Sequence, residues 1–282
     1  MQIDLLDTFL DLVETRSFNR TAERLGVTQS TVSARITALE RQLGARLFLR
    51  SRAGTELTTE GLRFDAHART LRRDWVGALR ALAAPADAAI AVKLGIQTDL
   101  AAEYLGDWIA AFRASLPQTA FYIEPDYSTQ MCSDLITGTQ DFAILFTPKT
   151  HPDLHFASLG EVRYRMIATE PRSLAEIPPE TYVFAHFSPA FEATHRTLFP
   201  ALSAAALSVG QSPAVISLLT ALGGAGYVLE PMAARLIAAG SAFAVRDAPL
   251  LDQPVFAAMH LKNRTAPLQR RLLQVMQRNL AG

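Results

Sequence analysis

Phe64, Ala68, Leu71, Trp75, Ala78 and Leu82 follow one another at steps of 4, 3, 4, 3 and 4 residues. That alternation keeps one apolar stripe on a helix, the heptad seam of paired helices. It predicts a helix from Thr59 to about Ala83, ended before Ala84-Pro85, because the residue preceding a proline is steered away from helical geometry. Such a helix extends ~37 Å, too long to be buried all round on a small domain. The seam either packs on its own domain or meets a second copy, parallel or antiparallel. At 282 residues, 49% hydrophobic and 19% charged, the chain has the length and composition for two or three globular domains.

Charge divides at the same helix. Formal net charge is zero, but residues 1–80 carry 13 Arg against 10 acids, and residues 81–282 carry 14 basic against 17 acidic side chains. Residues 16–52 hold eight Arg against Glu23 and Glu40. This is the pattern of a basic binding module joined to something else, or of an ordinary solvated helical surface.

Before the rod, Leu5, Leu6, Phe9, Leu12 and Val13 predict an amphipathic helix over roughly 4–14. Ser17 is placed to cap a second helix that ends near Leu25, where Gly26 supplies a left-handed turn. Thr28 caps a third, running to about Leu43 and stopped by Gly44. Two short helices about a tight glycine turn make a helix-turn-helix. The third helix puts Val32, Ile36, Leu39 and Leu43 on one face and Gln29, Ser30, Ser33, Arg35 and Thr37 on the other. Base edges in the DNA major groove present donors and acceptors to such a face. Gln29 suits adenine and Arg35 guanine or a phosphate, while Thr28, Ser30, Thr31 and Ser33 are short enough for close approach; the alternative is a polar helix facing water. Leu47-Phe48-Leu49 then leads into Arg50-Ser51-Arg52-Ala53-Gly54-Thr55 and Leu57-Thr58. Two short strands with Gly54 at the tip form a wing, with Arg50 and Arg52 placed to reach phosphates or a minor groove.

These residues carry a family likeness. Phe9, Ser17-Phe18, Ala22, Glu23-Arg24-Leu25, Thr28-Gln29-Ser30, Val32-Ser33, Ile36, Leu39-Glu40, Leu43-Gly44, Leu47-Phe48, Arg50, Leu57-Thr58 and Gly61 resemble, at fixed spacing, the winged helix-turn-helix of LysR-type transcriptional regulators. The chain departs from the usual pattern at Ala34, where most members carry Arg, so the operator sequence does not carry over. The resemblance implies that Phe64, Ala68, Leu71, Trp75, Ala78 and Leu82 pair two copies. Pairing implies a double-stranded operator with dyad symmetry.

From Ala89 the pattern becomes short apolar strands alternating with helices. Strands are expected at 89–97, 120–124, 141–146, 165–168, 182–186, 207–209, 227–229, 242–245 and 255–261. Helices are expected after Asp99, over 128–136 and over 268–280. Alternation of this kind means a parallel α/β sheet. The whole resembles the two-lobed, periplasmic-binding-protein-like effector domain of the same family. The expected organisation is a winged helix-turn-helix over 1–58, a linker helix over 59–85 and an effector domain over 86–282. Lobe I covers about 88–162 and 260–282, and lobe II about 163–259.

Ligands of open α/β sheets bind beyond the carboxyl ends of the strands, where helix N-termini offer N–H groups. That selects Gln97, Thr98 and Asp99, Ser128 and Thr129, Thr147, His186, Phe187 and Ser188, and Gln211 and Ser212. Each is also placed to be a mere cap. Asp99 stands out: either it caps its own helix, or the effector is neutral or cationic.

Other chemistry finds little support. Lone Cys132 excludes an internal disulfide and reads as a small buried residue. His151 and His155 flank Pro152 with no third ligand near, so neither metal nor cofactor is expected. Asp4, Asp7 and Asp11 are foreign to a secretory signal. Pro213 and the Gly223-Gly224-Ala225-Gly226 cluster interrupt the uncharged stretch 197–229 as a membrane span; strand, helix and strand fit it better. The expected protein is a cytoplasmic, non-enzymatic regulator: a dimer or dimer of dimers that binds DNA and an unidentified small molecule, and RNA polymerase if it activates. The competing reading is an enzyme on the two-lobed fold, with the helical head as a dimeriser.

Overall fold

The computed structural model describes residues 2–51, 54–83 and 90–280. The chain divides into two compact units, Met1–Ala83 with Ile136–Thr139, and Ala84–Leu135 with Gln140–Gly282.

The first unit runs α1 (Ile3–Thr15), α2 (Phe18–Leu25), α3 (Gln29–Leu43), β1 (Phe48–Ser51), β2 (Gly54–Leu57) and α4 (Thr59–Ala83). Its boundaries follow from local chemistry. Ser17 Oγ accepts the Arg20 N–H to start α2, and Thr28 Oγ1 accepts the Thr31 N–H at 3.2 Å to start α3. Gly26 and Gly44 end these helices at φ of 63° and 66°, where a side chain is disfavoured. Glu40 accepts the amide protons of Leu47 and Phe48, fixing the entry to the antiparallel β1–β2 hairpin. Thr58 Oγ1 accepts the Gly61 N–H at the start of α4. Leu5, Leu6, Phe9, Leu12, Ile36, Leu39, Leu47 and Phe48 form the core, with Phe9 against the rings of Phe48 and Phe64.

The seam on α4 does not act as one stripe. Phe64 packs half-buried on this core and Ala68 is fully buried in it, a correction to their assignment as pairing residues. The first two turns of α4 lie against α1, whose Phe9 claims that face. Leu71, Trp75, Ala78 and Leu82 are exposed, and Leu79 joins them.

The second unit contains β3 (Ile90–Gln97), α5 (Thr98–Ser115), β4 (Thr119–Asp126), α6 (Ser128–Thr137), β5 (Phe142–Leu145), β6 (Leu154–Ala168), β7 (Tyr182–Ala185), α7 (Pro189–Leu198), β8 (Leu207–Val209), α8 (Ser212–Leu222), β9 (Ala225–Leu229), α9 (Glu230–Ala238), β10 (Phe243–Ala244), β11 (Leu251–His260) and α10 (Pro267–Leu280). One sheet joins them in the order β4-β3-β5-β11-β6-β9-β7-β8, with β10 beside β6. Pairs β3–β4, β3–β5, β7–β8 and β7–β9 are parallel. β6 and β11 are antiparallel to their neighbours and to each other, so the sheet is mixed where the alternation pointed to a parallel one. One lobe is built on β3–β5 with α5 and α6, the other on β7–β10 with α7–α9, and β6 and β11 cross between them.

The sequence pattern reveals only the end of β6. Fifteen residues are extended, where a strand was expected from Arg165. Exposed Gly160, Glu161 and Arg163 break the apolar run midway. There Gly160 has φ 120° and the β6–β11 register shifts between Val255 and Phe256, a bulge that bends both strands as they pass from lobe to lobe.

Candidate nucleic-acid interface and inter-lobe site

Val32, Ile36 and Leu39 turn one face of α3 into the core. The opposite face is a shallow concavity lined by Gln29, Ser30, Ser33, Ala34, Thr37, Ala38 and Arg41. Gln29, Ser30 and Arg41 are exposed; Thr31 and Ser33 are half-buried. Thr28 is exposed, and its hydroxyl is engaged at the cap, 2.8 Å from both Ser30 Oγ and Thr31 Oγ1. Thr37 Oγ1 donates to the Ser33 carbonyl. Among the described residues no acid lines this face.

Arg35 does not belong to it. Its guanidinium donates to Thr8 Oγ1 at 3.3 Å and to Asp4 Oδ2 at 3.4 Å. Position 35 is one residue from buried Ile36, about 100° round the helix, so its side chain lies along the α1 border. Assigning Arg35 to a base edge is therefore corrected. Arg41, missed in the sequence reading, is the cation that lines the concavity, and its spacing of four from Thr37 was the available signal. Arg52 lies outside the described residues, as does the side chain of Arg50.

The inter-lobe residues form two linked clusters. In the first, Ser128 Oγ accepts the amide protons of Phe146 at 3.2 Å and Thr147 at 3.1 Å and donates to Gln97 Oε1 at 2.9 Å. Gln97 precedes α5 without capping it through its side chain. Thr129, the next residue on α6, is exposed and lies outside this hydrogen-bonded cluster. Thr98 is half-buried with its hydroxyl oxygen enclosed.

The second cluster centres on Asp99, fully buried in the first turn of α5. Oδ1 accepts the Ser212 N–H at 2.5 Å. Oδ2 accepts the hydroxyls of Tyr164 at 2.7 Å and Ser212 at 3.0 Å. Of the two alternatives for Asp99, capping of its own helix is replaced: its carboxylate caps α8, in the other lobe. Ser212 and Pro213 open α8, and the N-cap residue Gln211 makes no side-chain cap bond, which leaves the Ser212 amide for a partner. Burial pushes the Asp99 carboxyl up to about 6 against the opposing pull of the Ser212 and Tyr164 bonds, and the Glu103 charge adds to the rise. Glu103, one turn on, holds Arg235 of α9 through two bonds of 2.6 and 2.5 Å.

Phe187 is buried and stacks on Tyr164, ring centroids 4.2 Å apart. Ser188 Oγ accepts the Phe191 N–H and donates to Gln253. His186 is half-buried. A Cβ built on Gly210 would stand 3.1 Å from Tyr127 Oη and 3.2 Å from His186 Nε2, so those two groups converge over this glycine. Tyr164, Tyr127, Gly210 and Gln253 were missed. Tyr164 and Gln253 lie on crossing strands with no helix start to mark them.

Residues 3–62 match the family described as "Bacterial regulatory helix-turn-helix protein, lysR family". Residues 86–281 match the "LysR substrate binding domain". The chain belongs to the LysR family. It is 28% identical over 261 residues to the HTH-type transcriptional regulator HdfR of Salmonella newport, covering 91% of each chain. Among solved LysR-type folds it is similar to ArgP from Mycobacterium tuberculosis, at 23% identity and TM-score 0.59 over 99% of this chain and 97% of that one. It is also similar to full-length LysG from Corynebacterium glutamicum with bound effector arginine, at 20% identity and TM-score 0.59 over 100% and 98%. This LysR-family chain is thus a transcriptional regulator with a DNA-binding helix-turn-helix and an effector-binding domain of two lobes. Among the described residues no helix is long and apolar enough to cross a membrane.

Proposed function

We propose that this regulator is a cytoplasmic, non-enzymatic dimer or dimer of dimers. It reads a dyad-symmetric operator through Gln29, Ser30, Ser33 and Arg41 of α3, with Thr28 and Thr31 fixing the approach and Arg50 and Arg52 meeting the backbone. The observation that carries the reading is the concave face of α3, lined by hydrogen-bonding groups and one cation with no acid. Major-groove recognition calls for such a face. The exposed stripe Leu71, Trp75, Ala78, Leu79 and Leu82 supports pairing through α4, since apolar side chains in a row are stabilised by a partner. The working division is 1–58 for DNA, 59–85 for pairing and 86–282 for effector, with RNA polymerase a further partner where the bound protein activates.

Action by binding rather than catalysis is supported by two fully buried titratable groups, Asp99 and His195. Asp99 already accepts three protein hydrogen bonds. His195 is fully buried among Tyr182, Phe184 and Phe199, where a substrate has no approach. The effector site is placed between the lobes at Gln97, Thr98, Ser128, Thr147, His186, Phe187, Ser188, Gln211 and Ser212. A ligand there switches the protein only by binding one lobe arrangement more tightly than another.

The test is a gel shift of the full chain on DNA upstream of its own coding region. Sequence-specific retention that falls steeply with salt and is lost in Gln29→Ala is the expected result. Equal retention of unrelated DNA by both proteins would reject the reading.

A further inference from the structure

The second inter-lobe cluster is a cradle for an anion. Three donors converge on one point: the Ser212 N–H at the start of α8, the Ser212 hydroxyl and the Tyr164 hydroxyl. Ser212, Tyr164 and Asp99 are each fully buried. Donors of this kind at a helix N-terminus recognise a carboxylate or similar oxyanion. Here the carboxylate belongs to the chain itself. Asp99 reaches it from the first turn of α5, so its charge lies near the amino ends of two helices, both favourable to it.

The consequence is one of specificity. A free carboxylate entering the same place would meet donors already used and a buried like charge less than one ligand away. We propose that Asp99 is the specificity-determining residue of the inter-lobe site: it takes the place of a ligand's carboxylate at the N-terminus of α8 and thereby excludes carboxylate ligands there. This deepens the reading of the inter-lobe cleft as the effector site and rests on it. The effector that fits beside this cradle is uncharged or cationic where it faces α8. The Tyr164–Phe187 stack, buried behind the cluster, fixes the Tyr164 hydroxyl in place. The two bonds to Ser212 tie lobe to lobe and the third ties α5 to the crossing strand β6, so the built-in carboxylate also holds the arrangement that a bound carboxylate would otherwise hold.

Removing the side chain while keeping the donors turns the cradle into an open carboxylate site. The experiment is thermal unfolding of the full-length wild type and Asp99→Ala, titrated with sodium formate and sodium acetate against sodium chloride at equal ionic strength. Asp99→Ala is expected to melt lower than wild type and to recover saturably with formate, by about 5 °C near saturation, while the wild type responds to formate as it does to chloride. Adding Tyr164→Phe to Asp99→Ala should weaken the recovery. If Asp99→Ala is insoluble, Asp99→Ser is used and the readout becomes the soluble yield on refolding with and without formate. A variant indifferent to both carboxylates, or a wild type stabilised as strongly as the variant, overturns the proposal. Formate rescue alongside cleft substitutions that leave every effector response unchanged would keep the cradle and reject the cleft as the effector site; the reverse pair of results would reject Asp99 alone.

Discussion

The carboxylate of Asp99 accepts the amide proton of Ser212 at 2.5 Å across 113 positions of sequence, joining the first turn of α5 to the first turn of α8. With Tyr164 it makes a closed cluster of buried polar groups whose members depend on one another. Its titration has a definite sign. The folded-state value, about 6, lies above the ordinary carboxyl value of 3.8, so the folded protein holds the proton longer than the unfolded chain. The stability tied to it is fully present below about 4 and is lost as pH rises to about 6, on the order of 3 kcal/mol. Urea unfolding of wild type and Asp99→Asn from pH 4 to 7.5 should show wild type losing ground against the variant through that window.

His195 carries the opposite sign. Burial first, and the neighbouring Arg196 charge second, lower it from 6.5 to about 4. It is therefore neutral at pH 7, 2.6 Å from the Tyr182 hydroxyl. Its contribution is present above about 6.5 and lost as pH falls through about 4. His195→Gln should cost ~1–3 kcal/mol at pH 7 by disturbing a buried hydrogen bond. The gap from wild type should narrow as the buffer is acidified, read by the same unfolding curves.

Arg41 and Arg35 separate a groove-facing cation from a structural one. Arg41→Ala should weaken operator binding and reduce the slope of log affinity against log salt by about 1. Arg35→Ala should leave that slope unchanged, because its partners are Asp4 and Thr8. Fluorescence anisotropy over a salt series decides; equal slope changes in both variants would return Arg35 to the interface.

Trp75→Asp combined with Leu79→Asp places charges in the exposed stripe of α4, where both side chains are about half exposed. Light scattering should show the shift from dimer to monomer, and operator affinity should fall at least tenfold, because half-sites bound singly forgo the avidity of a linked pair.

Gly61→Ala tests the packing of α4 on the wing. A methyl there would overlap the carbonyl oxygen of Leu47 and the Leu57 side chain. Backbone cannot yield as a flexible side chain does, so the variant should lose about 3 kcal/mol, visible as an earlier calorimetric transition.

Local signals were enough for the DNA-binding head. Capping by Ser17 and Thr28, the left-handed turns at Gly26 and Gly44, and the spacing of Val32, Ile36 and Leu39 each act within one or two helical turns, so neighbouring residues carry the information. The alternation of strands and helices after residue 89 was legible for the same reason. Periodicity could not say which members of a regular stripe face which neighbour: Phe64 and Ala68 lie in the same seam as Leu71 and Trp75, yet Phe9 draws the first two into the core. It could not find β6 either, since the polar middle of a strand crossing between lobes has no apolar run to show. Above all, it marked Asp99 as out of place without saying what satisfies it. A buried carboxylate is held by whichever donors the fold brings to it. Ser212 and Tyr164 arrive from another helix and a crossing strand, so only the tertiary structure decided that Asp99 bridges two lobes.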